Sequence, residues 1–130
     1  MTIQNRDAIA PFITADGSQI RELLQAANSA LKNQSLAEAT LAPGQCTTPH
    51  FHPLAEEIYF VLSGVGTMKI EDETRKVGVG DAIAIPNGQT HQICNSDAVD
   101  LVFLCVCAPA YSQRDTILVA ANGEFSALNL

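Results

Sequence analysis

A chain of 130 residues is one domain's worth, long enough to bury a core without disulfides or structural metals. With 47% hydrophobic and 16% charged residues it is not generally disordered. A net charge of -7 and a pI near 4.7 leave no basic footprint for nucleic acid and no attraction to anionic membranes, and no apolar run approaches the roughly 20 residues that cross a bilayer.

In chain order, residues 1–17 read as an irregular lead-in that ends at the turn signal Ala15-Asp16-Gly17. This segment lacks the basic stretch and continuous apolar core of a signal peptide, so the cytoplasm is the expected compartment. Ser18 to Leu24 is a candidate first strand, and Gln25 to Lys32 a helical turn or a loop. From Ser35 onward, short apolar runs alternate with Gly, Pro, Asn and Asp punctuation, which predicts an all-β antiparallel sandwich or barrel. The expected strands are Ser35 to Leu41, Thr48 to His52, Glu57 to Leu62, Thr67 to Glu71, Thr74 to Val77, Ala82 to Ile85, His91 to Asn95, Asp100 to Cys107 and Thr116 to Ala120. The division expected is an N-terminal extension with the first strand over 1–33, a barrel over 34–120 and a tail over 121–130.

Cys46, Cys94, Cys105 and Cys107 are sparse and show no disulfide-framework spacing, so they read as thiols of a reducing compartment. Cys105 and Cys107 share one strand face and read as small buried hydrophobes.

Gly44 to Gly64 concentrates the chemistry. If Thr48 to His52 is extended, His50 and His52 project from one face about 6.6 Å apart, with Phe51 on the other. Pro53, Leu54 and Ala55 turn the chain, and Glu57 returns a carboxylate beside the two imidazoles. The same parity turns Tyr59 and Val61 inward with Glu57, Ile93 inward with His91, and Thr48 to the side of the histidine pair. Glu56 then faces outward. By periodicity alone, the strand of His91 has no fixed place relative to the pair.

The spacing supplies what periodicity does not. Gly44, five residues, His50, one residue, His52, four residues, Glu57, six residues, Gly64 resembles the first signature of the cupin family. Gly80, five residues, Pro86, one residue, Gly88, two residues, His91, three residues, Asn95 resembles the second. The resemblance implies a small single-domain jelly-roll β-barrel with a divalent transition metal (Fe, Mn, Ni, Cu or Zn) held by His50, His52, Glu57 and His91. Such a donor set leaves one or two positions open on an ion that prefers five or six ligands.

An open position suits a metalloenzyme on a small organic molecule, with dioxygenase-like oxidation favoured and isomerisation, decarboxylation or lyase chemistry as alternatives. A non-catalytic module binding a small ligand or a metal is the other class. Tyr59 carries the one inward phenol able to donate to a bound anion and is the candidate catalytic side chain. Thr48, Val61 and Ile93 are expected to line the pocket. Because Ile58, Phe60 and Leu62, like Val102, Leu104 and Val106, make the opposite strand faces apolar too, a homodimer is the expected assembly. The segment PAYSQRDT, residues 109–116, reads as a lid, a dimer strap or ordinary surface.

Overall fold

The alternation along Glu56–Ser63 sets the architecture: Glu57, Tyr59 and Val61 are buried, while Glu56, Ile58, Phe60 and Leu62 are exposed. A strand with this alternation lays its buried face on a second sheet. The computed structural model describes residues 1–127 and contains twelve strands among them. In chain order they are β1 (Phe12–Ile13), β2 (Gln19–Leu24), β3 (Ser35–Leu41), β4 (His50–Phe51), β5 (Glu56–Ser63), β6 (Val65–Ile70), β7 (Glu73–Gly78), β8 (Ala82–Ile85), β9 (His91–Asn95), β10 (Leu101–Ala108), β11 (Ile117–Val119) and β12 (Phe125–Ala127).

They form two six-stranded antiparallel sheets, ordered β1-β2-β3-β10-β5-β8 and β12-β11-β4-β9-β6-β7. This is the all-β jelly-roll barrel that the motif resemblance implied. Phe103, Leu41, Leu101, Val61 and Ile93 are sealed between the sheets. In the first sheet, Phe103 stands opposite Ala39 and Val61, Cys105 opposite Ala37 and Tyr59, and Cys107 opposite Ser35 and Glu57. Ser35, Ala37 and Ala39 are small, so the barrel keeps a hollow on their side.

The motif glycine Gly64 has a structural cause. Its φ is +85°, and a Cβ there would lie 2.6 Å from the Asp100 carbonyl oxygen, backbone that cannot swing away. Asn95 ties the following turn: its Nδ2 donates to the carbonyls of Leu41 (2.9 Å) and Val99 (2.8 Å), and its Oδ1 accepts from the Asp97 amide.

Several local expectations need correction. The strand expected over Thr48 to His52 is only two residues long, because Pro49 and Pro53 bracket it and neither can donate to a ladder. Of the two readings of Gln25 to Lys32, the loop holds: the Gln25 amide donates to Asn28 Oδ1 and the Asn28 amide to the Gln25 carbonyl, closing a turn with no helix. The lead-in contains β1, and residues 125–127 of the tail form β12; residues 128–130 of that tail lie outside the described residues.

The reading of four free thiols is also overturned, since Cys46 and Cys94 form a disulfide. Thr47 N–H donates to Ile93 O and Asn95 N–H to Gln45 O, which makes Cys46 and Cys94 a non-hydrogen-bonded antiparallel pair, the kind with the closest Cα approach. Their Cα atoms are 4.0 Å apart. A separation of 48 residues in sequence concealed this neighbourhood. Cys105 and Cys107 are free and buried.

Candidate metal centre

His50 comes from β4, His52 from the residue after it, Glu57 from β5 and His91 from the start of β9; His50 and His91 are direct partners across the ladder. All four are buried. The three imidazoles present donor atoms that lie within 4.8 Å of one another.

Each ring is held by its Nδ1. His50 Nδ1 meets the Thr48 carbonyl at 2.7 Å, His91 Nδ1 the Gln89 carbonyl at 3.0 Å and His52 Nδ1 the Asp115 carbonyl at 3.0 Å. A carbonyl only accepts, so Nδ1 carries the proton in each ring and Nε2 keeps its lone pair for the interior. Glu57 Oε1 lies 3.4 Å from both His52 Nε2 and His91 Nε2, while its other oxygen accepts a hydrogen bond from Cys107 Sγ at 3.1 Å. The thiol therefore orients the carboxylate toward the imidazoles.

Glu57 Oε1 and His91 Nε2 are buried without hydrogen-bond partners. Two lone pairs aimed at one another out of water are costly, about 1–3 kcal/mol for each unsatisfied group. A divalent cation between them satisfies both, and the nitrogen and oxygen donors suit a borderline transition metal. The four residues thus fit the ion that the motif implied.

The electrostatics point the same way. Burial opposes charging of His52, but the adjacent Glu57 carboxylate outweighs it and raises the pKa above the usual imidazole value. Burial and the neighbouring His91 lower His50 to about 4. Glu57 is pushed upward by burial, yet the facing His52 and His91 imidazoles hold it well below the usual carboxylate range. Metal and proton compete for one place.

A cavity of about 40 Å³ opens beside the cluster, reached by His50, His52, Glu57 and Tyr59. Tyr59 is buried against Phe103, with ring centroids 4.6 Å apart, and lies 6.0 Å from the His91 ring. Burial pushes its phenol well above the usual range. The other expected lining residues sit elsewhere. Val61 and Ile93 belong to the sealed apolar core, and Thr48 gives its carbonyl to His50 and its amide to the Asp16 carbonyl.

The lead-in and first strand take those places instead: Thr14, Asp16, Ser18, Ile20 and Glu22 face the cavity. Ser18, just before β2, and Ile20 and Glu22 within it follow period two, a signal present in the sequence but without any indication that this face meets the histidines. Asp115 and Tyr111, in the segment that reads from the sequence as a lid, a strap or ordinary surface, also belong to the site. Tyr111 lines the cavity, and the Asp115 carboxylate accepts the Leu54 and Ala55 amides while its carbonyl orients His52.

A jelly-roll barrel with three convergent imidazoles and a carboxylate defines the metal-site class of β-barrels. The cupin domain family matches residues 37–107, and the chain belongs to that family. An uncharacterized protein of Methanocaldococcus jannaschii is 46% identical over 110 residues, covering 85% of this chain and 88% of that protein. The oxalate-binding protein of Thermotoga maritima is 32% identical over 75 residues, covering 58% of this chain and 62% of its own length. Among solved structures, the polyketide cyclase RemF of Streptomyces resistomycificus superposes with a TM-score of 0.75 at 27% identity, over 83% of this chain and 79% of that one.

Two outcomes are expected. His52→Ala should remain folded by circular dichroism yet bind Zn(II) about 100-fold more weakly or worse in chelator competition. Glu22, whose Oε1 is buried without a partner, is raised by burial to about 7. A carboxyl raised on folding contributes stability that is complete below its unfolded pKa and is lost as pH rises through the folded value. Glu22→Gln should therefore stabilise the metal-free protein by about 1–2 kcal/mol near pH 8, after discounting for partial exposure, and leave it unchanged near pH 4 in urea titrations.

Proposed function

We propose that this protein is a metal-dependent enzyme acting on a small organic molecule in the barrel cavity. The carrying observation is the buried, unpartnered pair Glu57 Oε1 and His91 Nε2 beside a cavity that also holds carboxylates. A bound divalent ion would supply Lewis-acid polarisation of a substrate oxygen. His50, His52, Glu57 and His91 would hold it, and Cys107 would keep Glu57 turned toward it.

Oxygen-dependent oxidation, favoured by the sequence, requires an open metal position and little more. Proton transfer also requires a base near the substrate. Asp16 and Glu22, both lining the cavity, support the second reading, so isomerase, lyase or cyclisation chemistry on a hydroxyl or carbonyl compound comes first and dioxygenase-like oxidation second. The name of the polyketide cyclase structure is in keeping with that order. Tyr59, whose phenol burial keeps protonated, would serve as a donor rather than a base.

The working unit we propose is a homodimer. Ile58, Phe60 and Leu62 on the outer face of β5 remain 49%, 39% and 41% exposed, and β1 and β2 extend the sheet edge without covering them. A cytoplasmic setting belongs to the same proposal and requires the Cys46–Cys94 bridge to persist there.

The decisive assay presents small acids, phenols and diketones to protein loaded separately with Fe(II), Mn(II), Cu(II) or Zn(II). Turnover with solvent-deuterium incorporation and no oxygen uptake is expected; oxygen uptake would reverse the order of the two readings. Saturable binding without turnover under every metal would identify a binding module instead. Light scattering at micromolar concentration should give twice the chain mass, and a monomer would remove the dimer from the proposal.

A further inference from the structure

The turn Ala15-Asp16-Gly17 carries more than a change of direction. Three donors converge on Asp16 Oδ1: Thr14 Oγ1 at 2.6 Å, Ser18 Oγ at 2.6 Å and the Ser18 amide at 2.9 Å. The other oxygen, Oδ2, is left 3.8 Å from His50 Nε2. The turn itself is fastened to the segment that delivers His50, because the Thr48 amide donates to the Asp16 carbonyl at 2.7 Å and Gln45 Nε2 to the Gly17 carbonyl at 3.3 Å. Asp16 is thus a fixed carboxylate with its free oxygen turned to the metal-facing nitrogen of a proposed ligand.

The charge balance of the cavity follows. Its lining contains Asp16, Glu22 and Glu57 and, among the described residues, neither lysine nor arginine. Two arginines are engaged away from the cavity: Arg21 pairs across β2 and β3 with Glu38, and Arg6 donates to the same carboxylate at 2.7 Å. A divalent ion contributes two positive charges, and Glu57 and Asp16 cancel them even when Glu22, raised by burial to about 7, is protonated. An organic dianion would enter a small, partly dehydrated space with no residual positive charge, where a repulsive carboxylate is poorly screened.

Resting on the metal-site reading above, we infer that the site takes an uncharged hydroxyl or enolisable carbonyl compound and rejects dicarboxylates, with Asp16 as the specificity-determining residue. An uncharged ligand leaves that balance as it is, and no carboxylate of its own has to be accommodated beside Asp16 Oδ2. The oxalate in the name of the Thermotoga relative falls in the rejected class for this chain.

The test compares two ligands of similar size, acetylacetone and oxalate, on Co(II)-loaded protein followed by visible absorption near pH 7, with metal retention checked by dialysis and elemental analysis. Acetylacetone should bind about tenfold more tightly than oxalate or better, and Asp16→Asn, nearly isosteric, should raise oxalate affinity by about tenfold or more. Oxalate binding to the wild type as tight as acetylacetone, or unchanged oxalate affinity in Asp16→Asn, would overturn the inference. Failure of the wild type to retain Co(II) would instead overturn the metal-site reading, before either ligand is added. If Asp16→Asn misfolds, the wild-type comparison still decides.

Discussion

Everything at this site depends on three backbone carbonyls that fix the imidazole tautomers. Thr48 and Gln89 each lie two residues before the histidine they orient, a local device that works wherever the backbone is extended. Asp115 is different, because its carbonyl reaches His52 across 63 residues and its side chain meanwhile caps the turn at Leu54 and Ala55. One residue of the C-terminal segment thus sets both the direction of a proposed ligand and the path of the chain from His52 to Glu57. A displaced Asp115 would let the His52 ring turn, and the convergence of the three Nε2 atoms would be lost.

The barrel divides its interior into two parts by side-chain size. Leu41, Val61, Ile93 and Leu101 are fully buried at one end, with Phe103 between them and the cavity. Ser35, Ala37 and Ala39 on β3 leave the other end open, and Ser18 with Ile20 and Glu22 of β2 border that opening. Thiols take a place there that a larger apolar residue would block: Cys107 is small, is pushed upward in pKa by burial and the nearby Glu57, and uses its proton to hold that carboxylate. Its reading as a small buried hydrophobe captured its size and missed its donor.

The repeating features of the chain were the legible ones. Period-two alternation placed Glu57, Tyr59 and Val61 on one face of a strand, and turn residues marked most strand ends, since both are local properties of the backbone. The paired motif spacing brought His91 to His50, which alternation by itself left undetermined. What stayed hidden was contact between distant segments. The Asp16 turn, the Asp115 anchor and the Cys46–Cys94 bridge each join parts of the chain at least 30 residues apart, and no periodicity records which faces of two strands will meet. Tail residues 125–127 and the short β1 escaped for another reason: two or three residues are too few to show a period.

The disulfide has a topological consequence. Cys46 precedes His50 and Cys94 follows His91, so all four proposed ligands lie inside one covalent ring. Opening the barrel would not scatter them, because the closed loop caps their separation and keeps the local concentration of donor atoms high. An ion released by a transient opening would meet a tethered set of donors rather than a free chain, and recapture would compete favourably with escape.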